Sequence, residues 1–267
     1  MSNREHLDEG TKRAVRQRCA FGCVKCGLPL YEYHHIDEYA AVRAHEPENI
    51  TLLCDLHHKM ATNGLLTPEQ VKQANANPIN VRRRVSAPFN LELEGDRLRY
   101  LIGSNRFTAT GAATFLAIDN NEIVGATIDG GQLFLNLAIF DATNRGILAV
   151  VRNEIWVTTE PWDIKFVRNR LTLRESAGQI ALEIRIVPPD TLHIARGHLY
   201  LNGVHVIIFP DAMVVNGEAC MFSENEFTTN VGIVVGQSTL YPSCVCSKRG
   251  AYQNANEGKT FDWLISF

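Results

Sequence analysis

Residues 23–66 read CVKCGLPLYEYHHIDEYAAVRAHEPENITLLCDLHHKMATNGLL, a stretch dense in cysteine and histidine. Two residues separate Cys23 from Cys26 and two separate Cys54 from His57, and the pairs lie 28 residues apart from Cys26 to Cys54. Each pair is a half-site with thiolate or imidazole donors, and two half-sites can close on one tetrahedral ion. The spacing therefore predicts a structural Zn²⁺ held by Cys23, Cys26, Cys54 and His57. A segment with so small an apolar core needs such a centre, because metal binding then supplies much of its folding free energy. Cys19 is a fifth candidate at a looser spacing of four from Cys23.

On the N-terminal side, residues 4–20 are polar and charge-rich and predict a short helix leading into the cluster. On the other side, Thr67 as N-cap, Pro68 at the first helical position, and Glu69 and Gln70 in the first turn predict a helix that ends before Pro78. The basic run VRRRVSAP, residues 81–88, closes the segment and sets a domain boundary near residue 86. Beyond it the apolar period becomes two. Ile180, Leu182, Ile184 and Ile186 alternate with Ala181, Glu183 and Arg185, and turn signals (DNN, DGG, DATNRG, ESAG, PPD, LNG) punctuate similar runs. This predicts an all-β domain, as a sandwich, a barrel or a stacked meander, over residues 86–218. Residues 219–267 either complete it as edge strands or form an extension. Asn121-Glu122-Ile123-Val124 and Asn153-Glu154-Ile155-Trp156 echo one another 32 residues apart, a weak sign of an internal repeat.

The chain has 267 residues, 45% of them hydrophobic and 21% charged, which excludes wholesale disorder and collagen. No apolar run is long enough for a membrane span, and the N-terminus opens with charges, so a soluble cytoplasmic protein without a membrane partner is expected. Seven cysteines, an odd number, fit metal chemistry in a reducing compartment better than a disulfide framework. Residues 1–85 hold 12 Lys and Arg against 10 Asp and Glu within a net charge of −3, so charge alone does not announce nucleic acid.

Zinc leaves His34, His35, Asn49 and His58 unexplained. With Tyr33-His34-His35-Ile36, Glu48-Asn49-Ile50 and Leu53-Cys54-Asp55-Leu56-His57-His58 in that order, the stretch 13–80 resembles the HNH (His-Me finger) endonucleases. The β domain carries no such resemblance. The resemblance implies a ββα-metal fold, and so an α+β chain with a nuclease domain over 1–85. It implies that His35 activates water, that His34 and His58 hold a catalytic divalent cation, and that Asn49 braces the loop. His34 stands where the family usually has Asp, and a nitrogen donor there favours Mn²⁺ or Ni²⁺ beside Mg²⁺. A neutral imidazole suits the base role at cellular pH. On a helix, His58 points about 100° away from the zinc ligand His57, so the two histidines can serve different metals.

Lys59, Arg82, Arg83 and Arg84 are candidate phosphate contacts, although three arginines at a domain junction also suit a solvated linker. His45 reads as solvated, His193, His198 and His205 as outer-face strand residues, Trp156 and Trp162 as core or rim aromatics, and Cys244 and Cys246 as free thiols. The expected function is a metal-dependent endonuclease acting on double-stranded DNA, regulated or targeted through the β domain. That control would come from a homo-oligomer, a regulatory protein or a small ligand, in the manner of restriction-like or anti-phage effectors. A zinc-stabilised nucleic-acid or protein adaptor without catalysis is the alternative, and a sensor built on the β domain a third reading.

Overall fold

A computed structural model describes residues 7–37, 46–119, 121–216, 220–228, 231–237 and 242–246. Asp8 caps helix α1 (Glu9–Arg18), its carboxylate accepting from the backbone N–H groups of Gly10 at 2.7 Å and Thr11 at 3.0 Å. After Cys19, Ala20 and Phe21 both take left-handed backbone angles, φ 50° and 59°, and this turn delivers Phe21 into the core of the β-sheets. Strands β1 (Glu32–His35) and β2 (Ile50–Leu53) then pair antiparallel, with His35 opposite Ile50. Helix α2 (Asp55–Thr62) follows directly. In helix α3 (Pro68–Ala76), Thr67 is the N-cap the sequence suggested, its hydroxyl accepting from Gln70 N, and the Gln70 side chain in turn accepts from Thr67 N. Helix α4 (Ile79–Arg83) is a single short turn and a half. The apolar core of this part is split in two: Val15, Val24, Ile50, Leu52 and Leu53 pack with Cys19, Cys23 and Cys54, and Ile36, Leu66 and Val71 form a second cluster.

The remainder is strand, and the chain as a whole is α+β with strand predominant. One sheet has the order Pro242–Cys246, Val231–Gln237, Ala113–Ile118, Asn121–Asp129, Gln132–Phe140, Gly146–Val151, Glu154–Val157 and Phe89–Asn90. The second runs as a meander through Asp163–Val167, Arg170–Ser176, Gln179–Val187, Thr191–Leu201, Val204–Ile208, Met213–Val215 and Cys220–Phe222. Strands Leu98–Ile102, Asn105–Ala109 and Glu226–Thr228 branch from it. Leu135, Leu137, Leu148 and Val150 of the first sheet share one buried cluster with Leu171, Leu182, Ile184 and Val206 of the second. The two sheets thus stack as a sandwich, the first of the three expected forms. The buried Tyr100 crosses between them, its hydroxyl donating to Gly125 O at 2.6 Å. Strands Cys220–Phe222, Glu226–Thr228, Val231–Gln237 and Pro242–Cys246 belong to these sheets, and residues 247–267 fall outside the described residues.

The sequence echo at residues 121 and 153 also finds an explanation. Both copies open a strand just after a tight turn with left-handed residues, Asp119 at φ 48° and Arg152-Asn153 at 50° and 69°. Arg168, φ 57°, makes a similar turn before Arg170–Ser176. The likeness reflects hairpin chemistry shared by neighbouring strands.

Two seams join the helical part to the sandwich. The boundary placed near residue 86 is itself paired: Val85 bridges Thr158, and Ser86 N donates to Val157 O at 2.8 Å. At the second seam α1 lies on the edge strand Asp163–Val167. There Arg16, 1% exposed, donates from Nε and Nη2 to the two Asp163 carboxylate oxygens, both at 2.8 Å, and from Nη1 to the Tyr33 hydroxyl at 2.8 Å. A forked pair of this kind is strong because both donors of the planar guanidinium meet both acceptors. Removing one partner leaves a buried charge, so Asp163→Ala should cost about 3–5 kcal/mol in urea unfolding, against about 1 kcal/mol at most for an exposed pair. A loss below about 1 kcal/mol would show that the seam is not held by this ion pair.

Candidate functional site

The cysteine–histidine cluster, which could hold a metal ion, assembles from two turns. Gly27 N donates back to Cys23 O at 2.7 Å and Cys23 N to Leu28 O at 2.9 Å, which curls residues 23–28 so that Cys23 and Cys26 face the start of α2. Gly27 has φ 85°, and a Cβ there would meet Asn80 Oδ1 at 2.2 Å, so both conformation and space require glycine. Asn80, 1% exposed, ties this turn to the end of α1 by donating to Gly27 O and Ala20 O, both at 3.1 Å. Cys54 is the N-cap residue of α2, and His57 stands three positions on.

Donor atoms of Cys23, Cys26, Cys54 and His57 all lie within 4.8 Å of one another. Their nearest edges are Cys26 Sγ to Cys54 Sγ at 3.7 Å, Cys23 Sγ to His57 Nδ1 at 3.4 Å and Cys54 Sγ to His57 Nδ1 at 3.2 Å. Metal–sulfur bonds of about 2.3 Å and a metal–nitrogen bond of about 2.0 Å give a tetrahedron with edges of about 3.5–3.8 Å, so the cluster fits a small four-coordinate ion. A hydrogen bond from Cys26 pulls the Cys23 thiol below its ordinary value against the effect of burial, helped by backbone N–H groups of Cys54, Cys26 and Lys25. Three sulfurs and one imidazole are the donor set that zinc prefers. No disulfide forms among the described cysteines. Cys19 stands apart, buried with its sulfur 3.7 Å from Thr51 Oγ1 and 3.6 Å from Asn75 Oδ1.

The next helical residue turns elsewhere. The His58 ring meets the His34 ring edge-on, with centroids 5.0 Å apart and an interplanar angle of 85°. His58 Nδ1 also lies 3.7 Å from Glu32 Oε2. Glu32 and His34 are two apart on β1 and so share the face toward α2. That period-2 relation is the signal that sequence reading passed over for Glu32. Burial, reinforced by His58 and His35, lowers His34 to about 4, which keeps this ring neutral across the cellular pH range with a lone pair to offer.

His35 is the last residue of β1 and half-buried, and strand alternation turns it to the face opposite His34. Immediately after it the chain is clamped. Asn49 Oδ1 accepts from Asp37 N at 2.9 Å, Asn49 Nδ2 donates to Asp37 O at 3.3 Å, and Asn49 O accepts from Ile36 N at 2.8 Å. Arg18, unremarked in the sequence, fixes the other side of the same junction by donating to Pro47 O at 2.7 Å and to Ile50 O. Lys59, Arg82, Arg83 and Arg84 are exposed, the arginines along α4 and its C-cap. His45 and the side chains of Cys244 and Cys246 lie outside the described residues.

No helix among the described residues is long and apolar enough to cross a membrane. No family model matches the chain, and neither a curated protein nor a solved structure does.

Metal analysis of the purified chain should find one tightly held zinc, lost in Cys54→Ser and kept in Cys19→Ser. Stripping it with a chelator should speed amide hydrogen exchange in α1, β1, β2 and α2 while the sandwich strands keep their protection. Unchanged exchange in the helical part after zinc removal would count against a structural centre.

Proposed function

We propose that the chain is a metal-dependent, HNH-type endonuclease that hydrolyses phosphodiester bonds of double-stranded DNA. One observation carries the reading: the adjacent histidines of α2 serve two different constellations, His57 among three cysteines and His58 against His34. A purely structural finger needs only the first. The second places two imidazoles beside the end of a strand whose last residue is His35 and whose continuation Asn49 clamps.

The residues divide the work as the chemistry requires. His34 and His58 would hold a divalent cation, Mg²⁺, Mn²⁺ or Ni²⁺, whose charge offsets that growing on the phosphate and the leaving 3′ oxygen. His35 takes the proton from the attacking water as the P–O3′ bond breaks, and the leaving oxygen takes a proton from solvent, so the products carry a 5′-phosphate and a 3′-hydroxyl. Asn49 does not move a proton. It holds the backbone just beyond His35, so that the ring keeps its place at the strand end. Lys59 and Arg82 to Arg84 are placed to meet phosphates, contacts that position a duplex without reading its sequence. Restraint and targeting then fall to the sandwich, through self-association, a regulatory protein or a small ligand. A cytoplasmic restriction-like or anti-phage role follows by analogy with other nucleases that carry an appended non-catalytic domain.

Plasmid cleavage by wild type and His35→Ala, with Mg²⁺, Mn²⁺ and Ni²⁺ tried separately, tests this reading. The variant should cut about 100-fold more slowly or worse, the usual loss on removing a general base, with zinc content and melting temperature unchanged. Equal cutting by both proteins would remove His35 from the role. A wild type that binds DNA but cuts with none of the three metals would favour the adaptor.

A further inference from the structure

The outer face of the second sheet carries a charge cluster that the proposed catalytic site does not use. Strand register puts Arg170 opposite Arg185, Thr172 opposite Glu183, and Arg196 opposite Glu183, all on the side away from the shared core. Three arginines thereby converge on one carboxylate. Arg185 donates to Glu183 Oε1 from Nε at 3.0 Å and Nη2 at 2.8 Å, and Arg196 to Oε2 from Nε at 3.2 Å and Nη2 at 2.9 Å. Arg170 Nε lies 3.6 Å from Oε1. The Glu183 side chain is 2% exposed, whereas those of Arg170, Arg185 and Arg196 are 52%, 42% and 49% exposed.

This arrangement is more than the carboxylate needs. One guanidinium neutralises Glu183, so two positive charges are left over at a partly exposed surface. Arg170 and Arg185 are direct cross-strand partners, and like charges in that relation cost stability. Glu183 occupies the Nε–Nη2 edges of Arg185 and Arg196, which sets both forks rigidly and leaves their Nη1 edges turned away from it. Burial pushes the Glu183 carboxyl up, but the bonds from Arg185 and Arg196 and the charge of Arg170 outweigh it and keep the group ionised. Planar forks held in place with surplus charge suit phosphate oxygens, which guanidinium meets bidentately.

We infer that Arg170, Arg185 and Arg196, splayed by the buried Glu183, form a phosphate-binding site for the backbone of duplex DNA. The inference rests on the nuclease reading for the identity of its ligand and extends it to a second contact surface. The face begins at the edge strand Asp163–Val167, on which α1 sits through the Arg16–Asp163 fork. Two further strands at about 4.8 Å each lead from there to Glu183. A duplex carries one charge per about 1.7 Å of its axis, so it presents several phosphates over that span. A chain of net charge −3 has no global field to hold DNA, and a local cluster supplies what composition lacks.

The test is fluorescence anisotropy of a labelled duplex with the full chain and no added divalent cation, with cleavage assayed separately. Arg170→Gln should weaken binding about eightfold at 0.1 M salt and lower the slope of log affinity against log salt by about one, as expected for one lost phosphate contact. Its urea stability should hold or rise, since a like-charge pair is relieved; a purely structural role would lower it. Arg152→Gln, a charge removed from the other sheet, should bind as wild type. The triple Arg170, Arg185 and Arg196 to Gln variant should lower the slope by about three. Wild-type affinity and slope in Arg170→Gln and Arg185→Gln would overturn the proposal, as would tighter, arginine-dependent binding of polyglutamate than of DNA. Arginine-dependent binding without cutting would uphold this site and sink the nuclease reading. Cutting with binding indifferent to these arginines would do the reverse.

Discussion

The helical segment buries eight aliphatic side chains split between two small clusters, and the four residues Cys23, Cys26, Cys54 and His57, which could hold a metal ion, lie where its two strands and helix meet. Cys23 and Cys26 arrive on a tight turn before β1, Cys54 and His57 on the first turn of α2, and β2 ends directly before Cys54. Closing the cluster therefore fixes the helix against the hairpin. The free energy of zinc binding in small finger peptides, about 10–16 kcal/mol, is of the same order as what these aliphatic groups contribute at about 1.5–3 kcal/mol each. Everything assigned to the second constellation depends on this closure. Because His57 is held, the helical rotation of about 100° to His58 carries its ring to β1 and His34.

The same rigidity is passed on to the sandwich through Arg16. Its fork to Asp163 and its bond to Tyr33 connect α1, β1 and the edge strand in one buried network. Tyr33 neighbours His34, so the strand that carries His34 is tied through α1 to the sheet. Asn49 and Arg18 close the remaining freedom around the end of β1 and the start of β2. A catalytic arrangement needs this kind of support, since small displacements of a base or a cation lose most of its effect.

Local chemistry was legible in the sequence and long-range register was not. The Cys-x2-Cys and Cys-x2-His pairs, the Thr67 to Gln70 cap and the alternation around Ile180 to Ile186 are patterns within a few residues, and each has the expected place in the structure. The buried fork between Arg16 and Asp163 joins residues 147 apart, which no local pattern signals. The arginine cluster was hidden for a sharper reason. Leu192 and Ile194 face the core, and strict alternation would send Arg196 there too. An irregularity in pairing leaves Ala195 without a partner, reverses the phase, and turns Arg196 outward while Leu199 and Leu201 face inward. The Arg152-Asn153 turn contains no Gly, Pro or Asp to mark it; Asn tolerates the left-handed region and here carries Arg with it.

The division of two adjacent histidines between two metals is the point on which the account stands, and manganese binding tests it directly. Electron paramagnetic resonance titration with Mn²⁺ of the zinc-loaded wild type, His57→Ala and His58→Ala should give three different results. The wild type binds Mn²⁺ with its zinc in place; His58→Ala keeps the zinc and binds Mn²⁺ at least tenfold more weakly; His57→Ala loses zinc. Loss of zinc from His58→Ala, or Mn²⁺ binding in that variant as tight as in the wild type, would contradict the account.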